Sequence, residues 1–114
     1  MVYQVRVVGV TAENRQKILK AISGHPMLNS SALGFTLVPE PENPYDKKAV
    51  AVYVGKKYIV GYIPKGHVLQ DKVHDGELFV VRGVVVGGYD GRNYGLILNC
   101  ENGEDEEVEI SNVR

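Results

Sequence analysis

The sequence predicts a mainly β domain with two short helices, an α+β arrangement organised as a small OB-like or SH3-like β-barrel. Three observations predict it. Short runs rich in Val, Ile and Tyr recur along the chain between clusters of Gly, Pro and Asn. Only two segments carry helical spacing, and neither an internal repeat nor a strand–helix–strand rhythm points to a solenoid or a parallel sheet. With 114 residues and 44% hydrophobic content, the chain has the size of one domain with a single core. Residues 1–114 are therefore read as one domain, with an acidic C-terminal segment at 101–114.

Residues 1–10, rich in Val and Tyr, read as the first strand. Thr11 offers an N-cap for a helix through about Ser23, with Ile18, Ala21 and Ile22 on one face. Residues 24–31 contain His25-Pro26 and Asn29-Ser30-Ser31 and read as a loop, followed by a strand over 33–38. The next segment, Pro39-Glu40-Pro41-Glu42-Asn43-Pro44-Tyr45-Asp46, holds three prolines within six residues. Each proline removes a backbone donor and keeps the residue before it extended, so this is a rigid loop. Residues 49–54 and 58–63 flank Gly55-Lys56-Lys57 as a hairpin. Pro64 starts a short helix through Val73, with Val68, Leu69 and Val73 as its buried contacts. Residues 78–86 and 94–99 surround the turn-forming sequence Gly87-Gly88-Tyr89-Asp90-Gly91-Arg92-Asn93 as a second hairpin. A last strand is expected over 108–113.

The formal net charge is −1, but it is unevenly placed. Residues 101–114 carry −5, from six acids against Arg114, while the rest carries +4. A mildly basic body supports a few phosphate contacts and not an extended non-specific footprint, so nucleic-acid recognition would have to lean on shape and stacking. The lone Cys100 has no partner for an intrachain bridge. The longest apolar runs, around 5–10 and 79–86, are interrupted by Arg6 or Arg82 and are too short to span a bilayer. With no charged start followed by a long apolar run, a soluble, cytoplasmic protein is expected.

The rigid loop leads into Glu42-Asn43-Pro44-Tyr45-Asp46-Lys47-Lys48-Ala49-Val50-Ala51-Val52 and then Val60-Gly61-Tyr62-Ile63-Pro64-Lys65. These residues resemble the HIRAN domain, and Val8-Gly9-Val10-Thr11-Ala12-Glu13-Asn14-Arg15-Gln16 looks like the start of its free-standing bacterial members. Family members appended to SWI/SNF-type DNA translocases use the module to hold the free 3′ end of single-stranded DNA at stalled forks. The resemblance implies a DNA-binding module serving repair or fork processing, with a helicase or nuclease acting in trans. By position, Tyr45 would stack on the terminal base, Asp46 would accept a hydrogen bond from the 3′-hydroxyl, and Asn43 would shape the pocket. A planar ring grips any base, and a carboxylate accepts from a hydroxyl while repelling a phosphate. DNA-end-binding relatives carry an Arg and two aromatics after the first strand's Gly, where this chain has Val10-Thr11-Ala12-Glu13. Arg15 or Lys17 on the following helix, Tyr62, or Tyr89 and Tyr94 with Arg92 in the Gly-rich hairpin are the candidate replacements.

Each signal also has a plainer reading. Asn43-Pro44 and Asp46 are ordinary turn formers, and Tyr45 could plug the barrel. Lys47, Lys48, Lys56, Lys57 and Lys65 form either a phosphate-attracting rim or the charges that protect strand edges. His67, Asp71 and His74 share a helix face at spacings of four and three, a weak metal pattern outweighed by their expected exposure, so no metal or other cofactor is assigned. Glu40, Glu42 and Asp46 are read as loop residues and not as a nuclease metal set. The Gly-rich hairpin lacks the Lys-Ser or Lys-Thr and the helix of a phosphate cradle, and no Walker-type motif occurs. No serine sits in a nucleophile elbow, and Cys100 lies near acids that disfavour a thiolate. A binding module and not an enzyme is expected, the alternative function being a barrel that docks a protein partner.

Overall fold

The computed structural model describes residues 1–23 and 34–102. Six strands and two helices follow in the order β1 (Val2–Arg6), α1 (Arg15–Ser23), β2 (Phe35–Pro39), β3 (Val50–Val54), β4 (Tyr58–Tyr62), α2 (Val68–His74), β5 (Phe79–Gly87) and β6 (Tyr94–Asn102). The expected loop at 24–31 and strand at 108–113 lie outside the described residues, as does most of the acidic segment.

The strands pair as two three-stranded antiparallel sheets, ordered β1-β6-β5 and β2-β3-β4. Alternation along β6 sends Leu96, Leu98 and Cys100 inward, where they meet Val5 and Val81 of the same sheet. From the other sheet come Phe35, Val50, Val52, Val54 and Val60, and the helices contribute Leu19, Ile22, Leu69 and Val73 to the same core. Burial of Cys100 pushes its thiol up to about 11, so it behaves as a small hydrophobe and not as a nucleophile.

The two sheets meet at one corner. Val7 still donates its N–H to Leu96 O at 2.9 Å in the first sheet, while Val8 exchanges two bonds of 2.9 Å with Tyr62 in the second. This crossing needs Gly61: a Cβ there would collide with the Val7 side chain and the Val8 carbonyl. Elsewhere β2 faces β5, but no ladder joins them among the described residues. The described strands therefore stand as two sheets sharing a corner, where the sequence suggested a small OB-like or SH3-like barrel.

The helices begin later than expected. The 10–14 segment is a turn, and α1 starts at Arg15, so the buried stripe is Arg15, Leu19 and Ile22, with Ala21 exposed. Ahead of α2, Pro64 opens a turn closed by His67 N–H to Pro64 O at 3.1 Å. His67 then caps the helix, its Nδ1 accepting from Leu69 N–H at 3.1 Å. Val68 is exposed, and Gln70 takes the buried place expected of it.

Candidate nucleic-acid interface

The loop between β2 and β3 is rigid for reasons beyond its prolines. Asn43 Oδ1 accepts from the N–H groups of both Tyr45 (2.9 Å) and Asp46 (3.1 Å), folding the loop around one side-chain amide. Its Nδ2 donates to Glu40 Oε1 at 2.9 Å, and the same oxygen accepts from the Tyr62 hydroxyl at 2.9 Å. Asp46 closes the far end: Oδ1 accepts from Lys48 N–H and Oδ2 from Gln70 Nε2, both at 2.9 Å. Gln70 in turn accepts from Gly66 N–H at 2.9 Å, so one buried side chain fixes both the loop and the turn that carries Lys65. The Lys48 N–H first, and the Gln70 amide second, hold the Asp46 carboxyl below its ordinary value of 3.8.

What this frame presents is Tyr45, 91% exposed. The ring is no plug for the interior, while Asp46 does serve as a turn former. Beside it opens a cleft of about 600 Å³ whose lining includes Val8, Glu13, Arg15, Asn43, Tyr45, Asp46, Tyr62, Lys65 and Gln70. Opposite the loop, Arg15 lies with its guanidinium 5.5 Å from the centre of the Tyr62 ring. Its Nη1 donates to Gly9 O at 2.7 Å, Nη2 stands 3.7 Å from Glu13 Oε1, and Nε is buried with no hydrogen-bond partner among the described residues. Burial first and the Glu40 bond second push the Tyr62 hydroxyl above its usual range, so it stays a neutral donor.

Of the residues singled out in the sequence, Asn43, Tyr45, Asp46, Tyr62 and Arg15 come together at this cleft. Tyr62 has one face covered by Arg15 and its hydroxyl committed to Glu40, which leaves it a wall more than a stacking platform. Lys47 lines a smaller hollow of about 380 Å³ formed by the same loop. Tyr89 and Arg92 sit in the β5–β6 turn and do not line the cleft; Tyr94 packs against the core with its N–H and C=O both held by Gln16. Of the lysine rim, only Lys65 lines the cleft, while Lys48 pairs with Asp71 at 2.9 Å. The histidine pattern is dispersed into local tasks, His67 as a cap and His74 Nε2 3.0 Å from Ala49 O. Among the described residues no group of three His, Cys, Asp or Glu side chains is placed to hold a metal. No described helix is long and apolar enough to cross a membrane. Sequence reasoning missed Gln70, Glu13 and the structural use of Glu40; only the single amide on an otherwise apolar helix face hinted at Gln70.

The fold and cleft define a small, mainly β module with an open cleft beside a loop held by its own side chains. The family model of the HIRAN domain matches residues 31–90, more than half of the chain, and the chain belongs to the HIRAN family, whose domains are known as nucleic-acid-binding modules. Two solved structures share the fold. A protein from Lactobacillus plantarum is similar with a TM-score of 0.57 and 19% identity over 88% of this chain and 95% of that one. The HIRAN domain of human HLTF is similar with a TM-score of 0.52 and 21% identity over 97% of this chain and 84% of that one. No curated protein matches the sequence.

Proposed function

We propose that this HIRAN domain is a binding module, not an enzyme, that holds the 3′-hydroxyl end of single-stranded DNA in the cleft beside Tyr45. The observation that carries the reading is an aromatic ring 91% exposed on a loop whose backbone is pinned by Asn43 and Asp46. An exposed tyrosine on a mobile loop would lose entropy on stacking, whereas this one is already placed. Stacking on one ring supplies about 1–3 kcal/mol without reading sequence. Each Asp46 oxygen has one protein donor and keeps further acceptor capacity, which suits a terminal hydroxyl and disfavours a terminal phosphate. Lys65 and Arg15, on the other walls, suit the phosphodiesters that follow. With one stack and a few charge contacts, affinity on the order of micromolar is expected, near −8 kcal/mol. Recognition of this kind serves a helicase or nuclease acting in trans during repair or fork processing.

The test is fluorescence anisotropy with labelled single strands ending in a free 3′-hydroxyl, a 3′-phosphate or a hairpin-blocked 3′ end, for the wild type and Asp46→Ala. Tighter binding of the free hydroxyl that disappears in Asp46→Ala supports end reading. Equal binding of all three ends reduces the cleft to a general single-strand site, and absence of binding at low salt turns the same surface into a protein-docking one.

A further inference from the structure

The Arg15 guanidinium is only half used. Nη1 lies on the Cδ side of the planar group and is engaged by Gly9 O at 2.7 Å, which fixes the plane together with the Tyr62 ring beneath it. The opposite edge, formed by Nε–H and Nη2, is the pair of parallel donors that binds an anion side-on through two oxygens. On this edge Nε has no hydrogen-bond partner although the residue is 7% exposed. A buried donor left unpaired is costly, and a cationic one more so. Among the described residues the acid paired with that edge is Glu13, whose Oε1 stands 3.7 Å from Nη2, outside hydrogen-bonding range, on a side chain 73% exposed. Both residues line the cleft in which Tyr45 and Asp46 present themselves.

We infer that the Nε–H/Nη2 edge of Arg15 is a bidentate site for a phosphodiester of the bound strand, and that Glu13 is its built-in competitor, swinging aside when the phosphate arrives. The inference rests on the reading of this cleft as a nucleic-acid site and adds to it the anion contact and the residue that opposes it. Geometry favours the exchange: a phosphodiester offers two oxygens at the spacing of the fork, while Glu13 reaches one nitrogen from a distance. Glu13 loses little by leaving, because its own side chain is exposed and its contact with Nη2 is long. Arg15 is already immobilised, so no further side-chain entropy is lost on binding.

Glu13→Gln is the informative variant, since its side chain is exposed and its loss leaves the core untouched. Binding of a single strand with a free 3′ end should tighten about two- to five-fold, the worth of the weak pair removed. Glu42→Gln, which removes one negative charge from the neighbouring β2–β3 loop but does not line the cleft, should tighten it less. Arg15→Lys, which keeps the charge and loses the fork, should weaken binding about ten- to a hundred-fold. In parallel, the Arg15 Nε–H resonance of the wild type and Glu13→Gln is followed by NMR during titration with dimethyl phosphate, a readout that requires neither an end nor a base. Saturable movement at lower concentration in Glu13→Gln supports the inference even if the end preference fails. A resonance unmoved in both proteins, or Glu13→Gln binding DNA no better than Glu42→Gln, overturns it, and leaves end reading by Asp46 standing or falling on its own test.

Discussion

The 43–46 loop and the 88–93 turn between β5 and β6 are built from the same materials, tyrosines among residues that favour turns, yet they treat their tyrosines differently. In the first, side chains do the folding: Asn43, Asp46, Glu40 and Gln70 hold the loop from four directions and leave Tyr45 out over a cleft. In the second, the backbone closes its own turn, Gly88 N–H to Asn93 O at 3.3 Å and Arg92 N–H to Tyr89 O at 2.9 Å. Its tyrosines then divide. Tyr94 lies over Gly88, where any Cβ would strike the ring, and packs on the core; Tyr89 is 62% exposed and does not line the cleft beside Tyr45. Exposure of an aromatic ring is common and by itself means little. A ring held rigid at the mouth of a cleft, next to a carboxylate with spare acceptor capacity, is a different object.

The largest effect expected from this contrast falls on the tyrosine outside the proposed site. Tyr94→Ala removes a half-buried ring from the core and should cost about 2–3 kcal/mol, a fall in Tm of about 10–20 °C, while the folded protein binds DNA as the wild type does. A calorimetric scan and an anisotropy titration read the two separately. Next comes Gln70→Ala, which leaves Gly66 N–H and one Asp46 oxygen without their buried partner. It should cost about 1–3 kcal/mol in a denaturant midpoint and, unlike Tyr94→Ala, weaken binding as well, because Asp46 and Lys65 lose their common anchor. If Gln70→Ala binds normally, the rigidity of the loop is incidental.

The third comparison sets the two exposed tyrosines against each other. Tyr45→Ala should weaken single-strand binding by about 1–3 kcal/mol, roughly five- to 150-fold, with stability within about 0.5 kcal/mol of the wild type. Tyr89→Ala should leave both within error. Equal losses from the two would show that bases stack along the whole hairpin side of the molecule and that the cleft is not the centre of recognition.

How far the sequence reveals this depends on the range of the interactions. The 43–46 loop is legible because proline and the Asn-x-x-Asp turn chemistry act within a few residues, and both hairpins are legible because their Gly-containing turns sit between β-branched runs. The start of α1 is not, since Thr11 looks like a cap while the chain is still crossing from one sheet to the other at Val7 and Val8. Arg15 reads as a surface residue and is buried because that crossing folds Gly9 back over it. Gln70 meets Asp46 across 24 positions and Tyr62 meets Glu40 across 22, separations at which composition carries no register. Whether the sheets join is not legible for the same reason: strand count and alternation are local, whereas the absence of a β2–β5 ladder among the described residues depends on how the two sheets settle around Phe35 and Leu98.

The smallest expected effect is a flat one. Asp46 is held below 3.8 because Lys48 N–H and the Gln70 amide both donate to its ionised form, with Lys65 and His74 adding positive charge nearby. A carboxyl depressed on folding contributes stability above its unfolded value and loses it only as pH falls through the lower folded one. Over the range from about pH 8 to pH 5 the group stays an ionised acceptor, so the preference for a free 3′-hydroxyl over a hairpin-blocked end, which carries no terminal phosphate to titrate, should not change. A preference that faded between pH 7 and 5 would therefore take the hydroxyl's partner away from Asp46 and move the reading group off the loop. A preference that held to pH 5 and vanished in Asp46→Ala would keep it on the loop, where the fixed frame and the exposed ring already distinguish this turn from its counterpart between β5 and β6.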